Sequence, residues 1–295
     1  MKTSVMSKTF DAFNVCVITL LCVITVYPFL NQLAISLNLG SDTNLGGITI
    51  YPRRFTLDNF KSVFGDSKIY AAAVISVSRT VLAVVASLFA TTSAAYALTR
   101  KDLVGRKTIT WILCIPMYFS AGVIPTYIMF RTLGLINNYF IYILPGVFSF
   151  YNMVILRSFI QGIPESLEES ALIDGANELQ IMMRIIIPIS KPVIATVALW
   201  VAVANWNDWT TTLMYVTNSK LYTLQYLVMK IIKQGETLRA EALNQVMGNT
   251  EASVQPTEES IKAAVLIITT MPIIIVYPFL QKYFVKGVML GSVKG

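Results

Sequence analysis

Long apolar stretches separated by short polar connections dominate this chain. Six of them, at about 12–34, 69–98, 108–130, 138–160, 185–208 and 261–283, reach the roughly 20 residues that a helix needs to cross a bilayer. They are apolar all round rather than striped, as helices in lipid are. The pattern predicts an all-α polytopic membrane protein with six transmembrane helices, forming a single domain over residues 1–295. Pro28, Pro116, Pro125, Pro145, Pro272 and Pro278 fall in or beside these spans. Neighbouring helices can re-satisfy the backbone groups that proline frees there.

One connection departs from the pattern. Residues 161–184 carry Glu165, Glu168, Glu169, Asp174 and Glu178 against Arg184 alone. Pro164 suits a first helical turn, and the early glutamates suit the helix dipole. Leu167 and Ala171 share a face at i, i+4; after Gly175, Leu179, Met182, Met183 and Ile186 recur at helical spacing. Gly175 accommodates the positive φ that a tight bend requires. The segment therefore reads as two short helices bent at Gly175. One interpretation is a hairpin packed on its own membrane domain; the other is a docking element that inserts into a groove on another protein.

Charge sets the orientation. The short connection after the second span holds Arg100, Lys101, Arg106 and Lys107; Lys2 and Lys8 lie at the N-terminus, and Lys282, Lys286 and Lys294 in the tail. With six spans all of these share one side, so the positive-inside rule places both termini and the 161–184 loop in the cytoplasm. The longer connections at about 35–68 and 209–260 then lie outside. The acidic loop is anomalous on that inner side, where a segment resting on anionic lipid is expected to be basic. Lys2 and Lys8 ahead of an apolar run resemble a signal peptide. The run continues to about Ala34 without a prompt small-residue cleavage site, which favours a retained first span.

Composition narrows the chemistry. Of the 295 residues, 55% are hydrophobic and 13% charged, and the mean hydropathy is +0.63. A soluble domain carries about 25% charged residues. The net charge of +7 belongs to membrane-flanking lysines and arginines and forms no nucleic-acid stripe. Histidine is absent, which removes the commonest general base and metal ligand. Cys16, Cys22 and Cys114 sit inside apolar stretches and read as packing residues. No G-x-x-x-x-G-K-[ST] occurs, so the chain is not its own P-loop ATPase. No catalytic residue, metal site or resident cofactor is expected.

At the acidic loop the sequence resembles permease subunits of binding-protein-dependent ATP-binding-cassette importers. Their cytoplasmic motif runs E-A-A, three residues, G, about nine residues, I, one residue, L-P. Glu169-Ser170-Ala171 stands for the E-A-A, Gly175 for the glycine, and Ile185-Ile186-Ile187-Pro188 for the ending, with Ser170 and Ile187 as departures. Asp174-Gly175-Ala176 is similar to the carbohydrate-importer version. Ala95-Tyr96-Ala97 with Gly105-Arg106-Lys107, the Asn205-Trp206-Asn207 patch and the tail FLQKYFVKGVMLGSVKG resemble maltose-G-type subunits. The likeness is strongest to the subgroup handling oligosaccharides from complex glycans and plant polysaccharides.

The resemblance implies a type I permease fold, paired as a heterodimer with a second related permease. It also implies two ATPase subunits, which bind ATP and Mg, an extracellular solute-binding protein and an oligosaccharide substrate. Coupling to the ATPases would fall to Leu167, Glu168, Glu169, Ser170, Ala171, Asp174, Gly175, Ala176, Leu179 and Pro188. Of these, Leu167, Ala171 and Leu179 would give apolar contact, Glu169 would meet a basic group, and Gly175 would set the angle.

Two features bear on the substrate path. Arg79 lies about eleven residues into the second span, on the order of 16 Å deep. A charge there marks either a functional site or a structural partner for a carboxylate or carbonyls. Asn205, Trp206, Asn207, Asp208 and Trp209 crowd the outer end of the fifth span. Aromatic faces stack on sugar rings and amides bind hydroxyls, but an interfacial aromatic belt has the same composition. The polar stretch at about Gln234 to Glu259 is either a contact for the binding protein or a loop with no special role. Two other classes compete with the importer. An ion-coupled secondary transporter would use Arg79 and Asp208, but the repeats and broken midplane helices of that class are not evident. A membrane-embedded enzyme lacks a nucleophile or paired-carboxylate constellation.

Overall fold

The computed structural model describes residues 5–233 and 257–292, and among them helices account for nearly all regular structure. Among the described residues the one strand-like feature is an isolated antiparallel bridge between Asn38 and Phe55. The expected site at 234–259 lies almost wholly outside the described residues.

Among the described residues, three helices are long and apolar enough to cross a membrane unbroken: Thr9–Ser36, Ser67–Ala97 and Glu258–Pro278. They match the first, second and sixth apolar stretches. The other three stretches are bent helix pairs, each apolar enough in sum to make one span. The third is a correction to the continuous helix expected over 108–130. Arg106–Tyr118 and Val123–Thr132 meet at 119°. The chain leaves the first helix in an extended conformation at Phe119, and Gly122 takes φ 84, which only glycine adopts cheaply. The fourth begins with 3-10 turns at Tyr139–Tyr142 and Leu144–Gly146, then bends by 48° into Phe150–Ile160.

The fifth also differs from its expected start at 185. The helix that begins at Glu178 runs on to Ile189 and turns by 81° into Lys191–Asn207. Pro192, in the first turn of the new helix, has no N–H to continue the old one and suits a helix start. Ile185–Ile189 thus extend the polar-side helix rather than open the span.

By packing, the chain divides into two units, Met1–Tyr70 with Val228–Met271, and Ala71–Leu227 with Pro272–Gly295. In the first, Val63, Val228, Ala264 and Val265 form the buried core. A folded polar connection follows the first helix. Asn38 is fully buried and donates to Asp42 Oδ2 at 2.9 Å, while its own Oδ1 accepts from the Arg54 N–H at 2.8 Å. Asn59 clamps the same turn by donating to the carbonyls of Ser36 and Asn38.

The second unit has two cores. One joins Ala95, Tyr96 and Leu98 to Met153, Leu156 and Ile160, Ile181, Met182 and Ile186, and Val193, Val197 and Val201. It ties the end of the second span to the fourth and fifth and to the 178–189 helix. The other, around Phe130, Leu135, Ile141, Tyr142, Ile143 and Val216, packs the segments that follow the third and fifth spans.

Candidate functional site

The segment after the fourth span forms two helices with a bend between them, and the local sequence explains each boundary. Glu165–Ile173 starts behind Pro164 with Glu165 and Glu168 in its first turn. It ends in a Schellman motif, in which Gly175 N–H donates to Leu172 O at 3.0 Å and Ala176 N–H to Ala171 O at 2.9 Å. Gly175 occupies the left-handed position of that motif at φ +81. Asn177 and Gln180 then form a reciprocal capping box for the next helix. Its continuation widens to π geometry at Met182–Ile186, just ahead of Pro188, which has no N–H to give to Arg184 O.

Each helix has an inward and an outward side. Ile181, Met182 and Ile186 are buried, and Ala171 and Ala176 pack against the same core. Outward stand Leu167, Leu172, Ile173, Leu179 and Met183, with Ile173 87% and Leu179 65% exposed. Glu169, Ser170, Asp174 and Pro188 are also exposed. Ala171 is half-buried against its own core rather than standing fully outward. One expectation needs correcting. The run Leu179, Met182, Met183, Ile186 is not one stripe, because Leu179 and Met183 face out while Met182 and Ile186 face in.

The acidity of the segment also has an internal cause. Arg100, just past the end of the second span, pairs through Nη1 with Glu168 on the first helix and through Nη2 with Glu178 on the second, the latter at 2.6 Å. Its guanidinium lies over the Tyr96 ring, 4.4 Å from the centroid, and Nη2 donates to the Tyr96 hydroxyl. That hydroxyl in turn donates to Glu178 Oε2 at 2.7 Å. Lys101 pairs with Glu165 at 2.6 Å, and the ammonium holds the Glu165 carboxyl below its ordinary value. Glu168, one of the expected coupling residues, is thus engaged within its own chain. Glu169 and Asp174 have no ion pair among the described residues. Sequence reasoning used Arg100 only for orientation and Tyr96 only within a motif, and did not place them or Ile173 at this site. The signal was the run Arg100-Lys101 on the same side as Glu165 and Glu168, three residues apart.

Within the second span, well away from either end, Arg79 is fully buried. Nη1 approaches Asp208 Oδ2 at 3.4 Å, and Nη2 donates to the carbonyls of Asp208, at 2.6 Å, and Asn205. The Tyr142 ring lies 4.8 Å below the guanidinium carbon. Arg79 thus meets a carboxylate and two carbonyls at the end of the fifth span, the partners that its structural reading names. Asp208 is occupied as well, accepting from the Thr211 N–H at 3.0 Å and the Thr210 hydroxyl at 2.7 Å. Asn205 turns its amide back to Val201 O. Trp206 and Trp209 are half-buried, and Asn207 is exposed.

Within the second unit, a bent helix pair is thus braced against the end of the second span. Residues 83–290 match the family model described as the binding-protein-dependent transport system inner membrane component. The chain belongs to that family. Among similar permeases is the polygalacturonan/rhamnogalacturonan transport system permease protein YtcP of Bacillus subtilis (strain 168), 36% identical over 289 residues, 98% of this chain and 99% of that one. Protein LplC of the same organism is 38% identical over 288 residues, 98% of this chain and 96% of its own. A bacterial ABC transporter involved in the import of the acidic polysaccharide alginate contains a chain of the same fold. Its TM-score is 0.85 at 28% identity, covering 96% of this permease and 99% of that chain. The permease fold and multi-pass membrane character expected from the sequence agree with these likenesses.

Proposed function

We propose that this permease is one half of the translocation path of an ATP-driven oligosaccharide importer. The observation that carries the proposal is the bent helix pair 165–189, with Leu172, Ile173, Leu179 and Met183 exposed on its outward face. Apolar side chains of this size on an acidic projection suit a groove on a soluble partner. The chain has no phosphate-binding loop, so its energy must come from that partner. Two ATPase subunits, which carry ATP and Mg, take this role, and the permease itself performs no covalent chemistry and holds no cofactor. A second, related permease completes the path, and an extracellular solute-binding protein delivers the sugar.

Both termini and the bent pair face the cytoplasm on this reading, and Glu169 meets a basic group on the ATPase. Closure of the ATPases shifts the pair and rocks the spans between inward- and outward-facing states. The shift is productive because the contacts of the pair differ between those states. The likeness to a polygalacturonan/rhamnogalacturonan permease and to an alginate importer supports an oligosaccharide that contains uronate. Trp206, Asn207 and Trp209 are the candidate sugar contacts; Arg79, Asn205 and Asp208 support them from behind.

Proteoliposomes containing the full assembly test the proposal. Labelled galacturonan oligosaccharides should accumulate only with ATP inside and the binding protein outside. Accumulation driven by an ion gradient without ATP would favour a secondary transporter instead.

A further inference from the structure

We infer that Arg100 is a positioning residue for energy coupling, a bracket that makes the bent helix pair and the end of the second span move as one body. The inference rests on the importer reading and deepens it, by naming how motion delivered to the pair reaches the membrane helices.

The argument starts from what holds each helix. Glu178–Ile181 and its continuation are anchored by buried Ile181, Met182 and Ile186. The first helix, Glu165–Ile173, is held far less firmly: of its residues only Ala171 packs against the buried core. Clefts of about 400 and 580 Å3 border Arg100. The remaining connection between that helix and the second span is electrostatic: Arg100 with Glu168, and Lys101 with Glu165.

Arg100 does more than pair with one acid. Its planar fork meets Glu168 with one nitrogen and Glu178 with the other. It thus bridges both helices across the Gly175 bend. Tyr96 fixes the fork from below by ring and hydroxyl. Arg106 holds the loop that carries Arg100 by donating to its carbonyl at 3.2 Å. A lysine at 100 would keep the charge but present one point donor where a rigid fork is needed. Gly175 permits the angle between the helices; Arg100 fixes that angle relative to the span.

The test uses the complete reconstituted assembly and reads the number of oligosaccharides imported per ATP hydrolysed. That ratio is insensitive to the amount of protein that folds. Arg100→Gln should lower it about tenfold, on the order of a typical coupling free energy between two sites. Arg100→Lys should recover part of the loss. An unchanged ratio in Arg100→Gln overturns the bracket. If Arg100→Gln does not reach the membrane, Glu178→Gln removes one arm at a carboxylate that is 59% exposed. A lowered ratio there supports the bracket, and a wild-type ratio overturns it. A wild-type assembly that holds no ATPase overturns the importer reading itself, and shows this before any variant is compared.

Discussion

Arg79 and Asp208 stand 129 residues apart in sequence, yet the guanidinium of the first meets the carboxylate of the second at 3.4 Å and its backbone carbonyl at 2.6 Å. Arg79 is completely buried. Deleting one partner of a buried pair leaves the other uncompensated and costs about 3–5 kcal/mol. Arg79→Leu should therefore reduce the amount and thermal stability of the protein in detergent. Asp208→Asn should cost at least as much, because it leaves the fully buried Arg79 charge with carbonyl acceptors alone. Unchanged stability with lost transport in Arg79→Leu would instead mark a direct role in the path.

Gly175 gives a second prediction. A Cβ built there meets nothing within 4 Å, so a side chain has room; the obstacle is φ +81. The left-handed conformation costs an L-residue about 1–2 kcal/mol, least for asparagine. Gly175→Asn should retain most ATPase association, Gly175→Ala less, and β-branched Gly175→Val least. Co-purification of the ATPase measures the series. Equal retention by all three would show that the bend is immaterial to docking.

Opposite sides of one helix give a third. Ile173→Asp changes a side chain that is 87% exposed, so the permease should remain as stable as wild type while ATPase binding falls. Ala171→Asp places a charge against the buried core and should destabilise the protein. Thermal unfolding and co-purification, measured together, distinguish the two. The reverse pattern would mean that the faces are assigned the wrong way round.

Much of this was legible in the sequence, for reasons that also explain what was not. Apolar runs of span length fix where helices lie, because a bilayer demands them. They do not show where a run bends. Pro116, Pro125 and Gly122 all lie near the 119° turn, yet proline in a membrane helix is often absorbed without one. The Gly175 bend was readable because its chemistry is local. The partners of Arg79 and Arg100 were not, since Asp208 and Glu168 come from distant segments that only tertiary packing brings near. Leu167 and Ala171 looked alike as apolar positions on one face of a short helix, and which of them turned inward depended on a core built elsewhere in the chain.

A fourth prediction concerns pH. Asp42 has its carboxyl held below the ordinary 3.8, first by the Asn38 amide and then, against the opposing effect of desolvation, by Arg53. A lowered folded-state value means that Asp42 stabilises the polar connection above its ordinary value. That contribution is lost as pH falls through the lowered one. Protection of residues 37–66 from proteolysis should therefore weaken below about pH 4. Asp42→Asn should be less protected at neutral pH and lose less on acidification. An identical acid profile in the variant would contradict the assignment.

The central claim is that the bent pair is gripped by a separate motor on the inner face, and site-specific cross-linking from its most exposed apolar position tests it most directly. After replacement of Cys16, Cys22 and Cys114, Ile173→Cys is treated with a short cross-linker in membranes containing the whole assembly. The account predicts an adduct between this permease and an ATPase subunit. No such adduct, with the thiol at 173 instead modified by an impermeant reagent added outside intact cells, would contradict it.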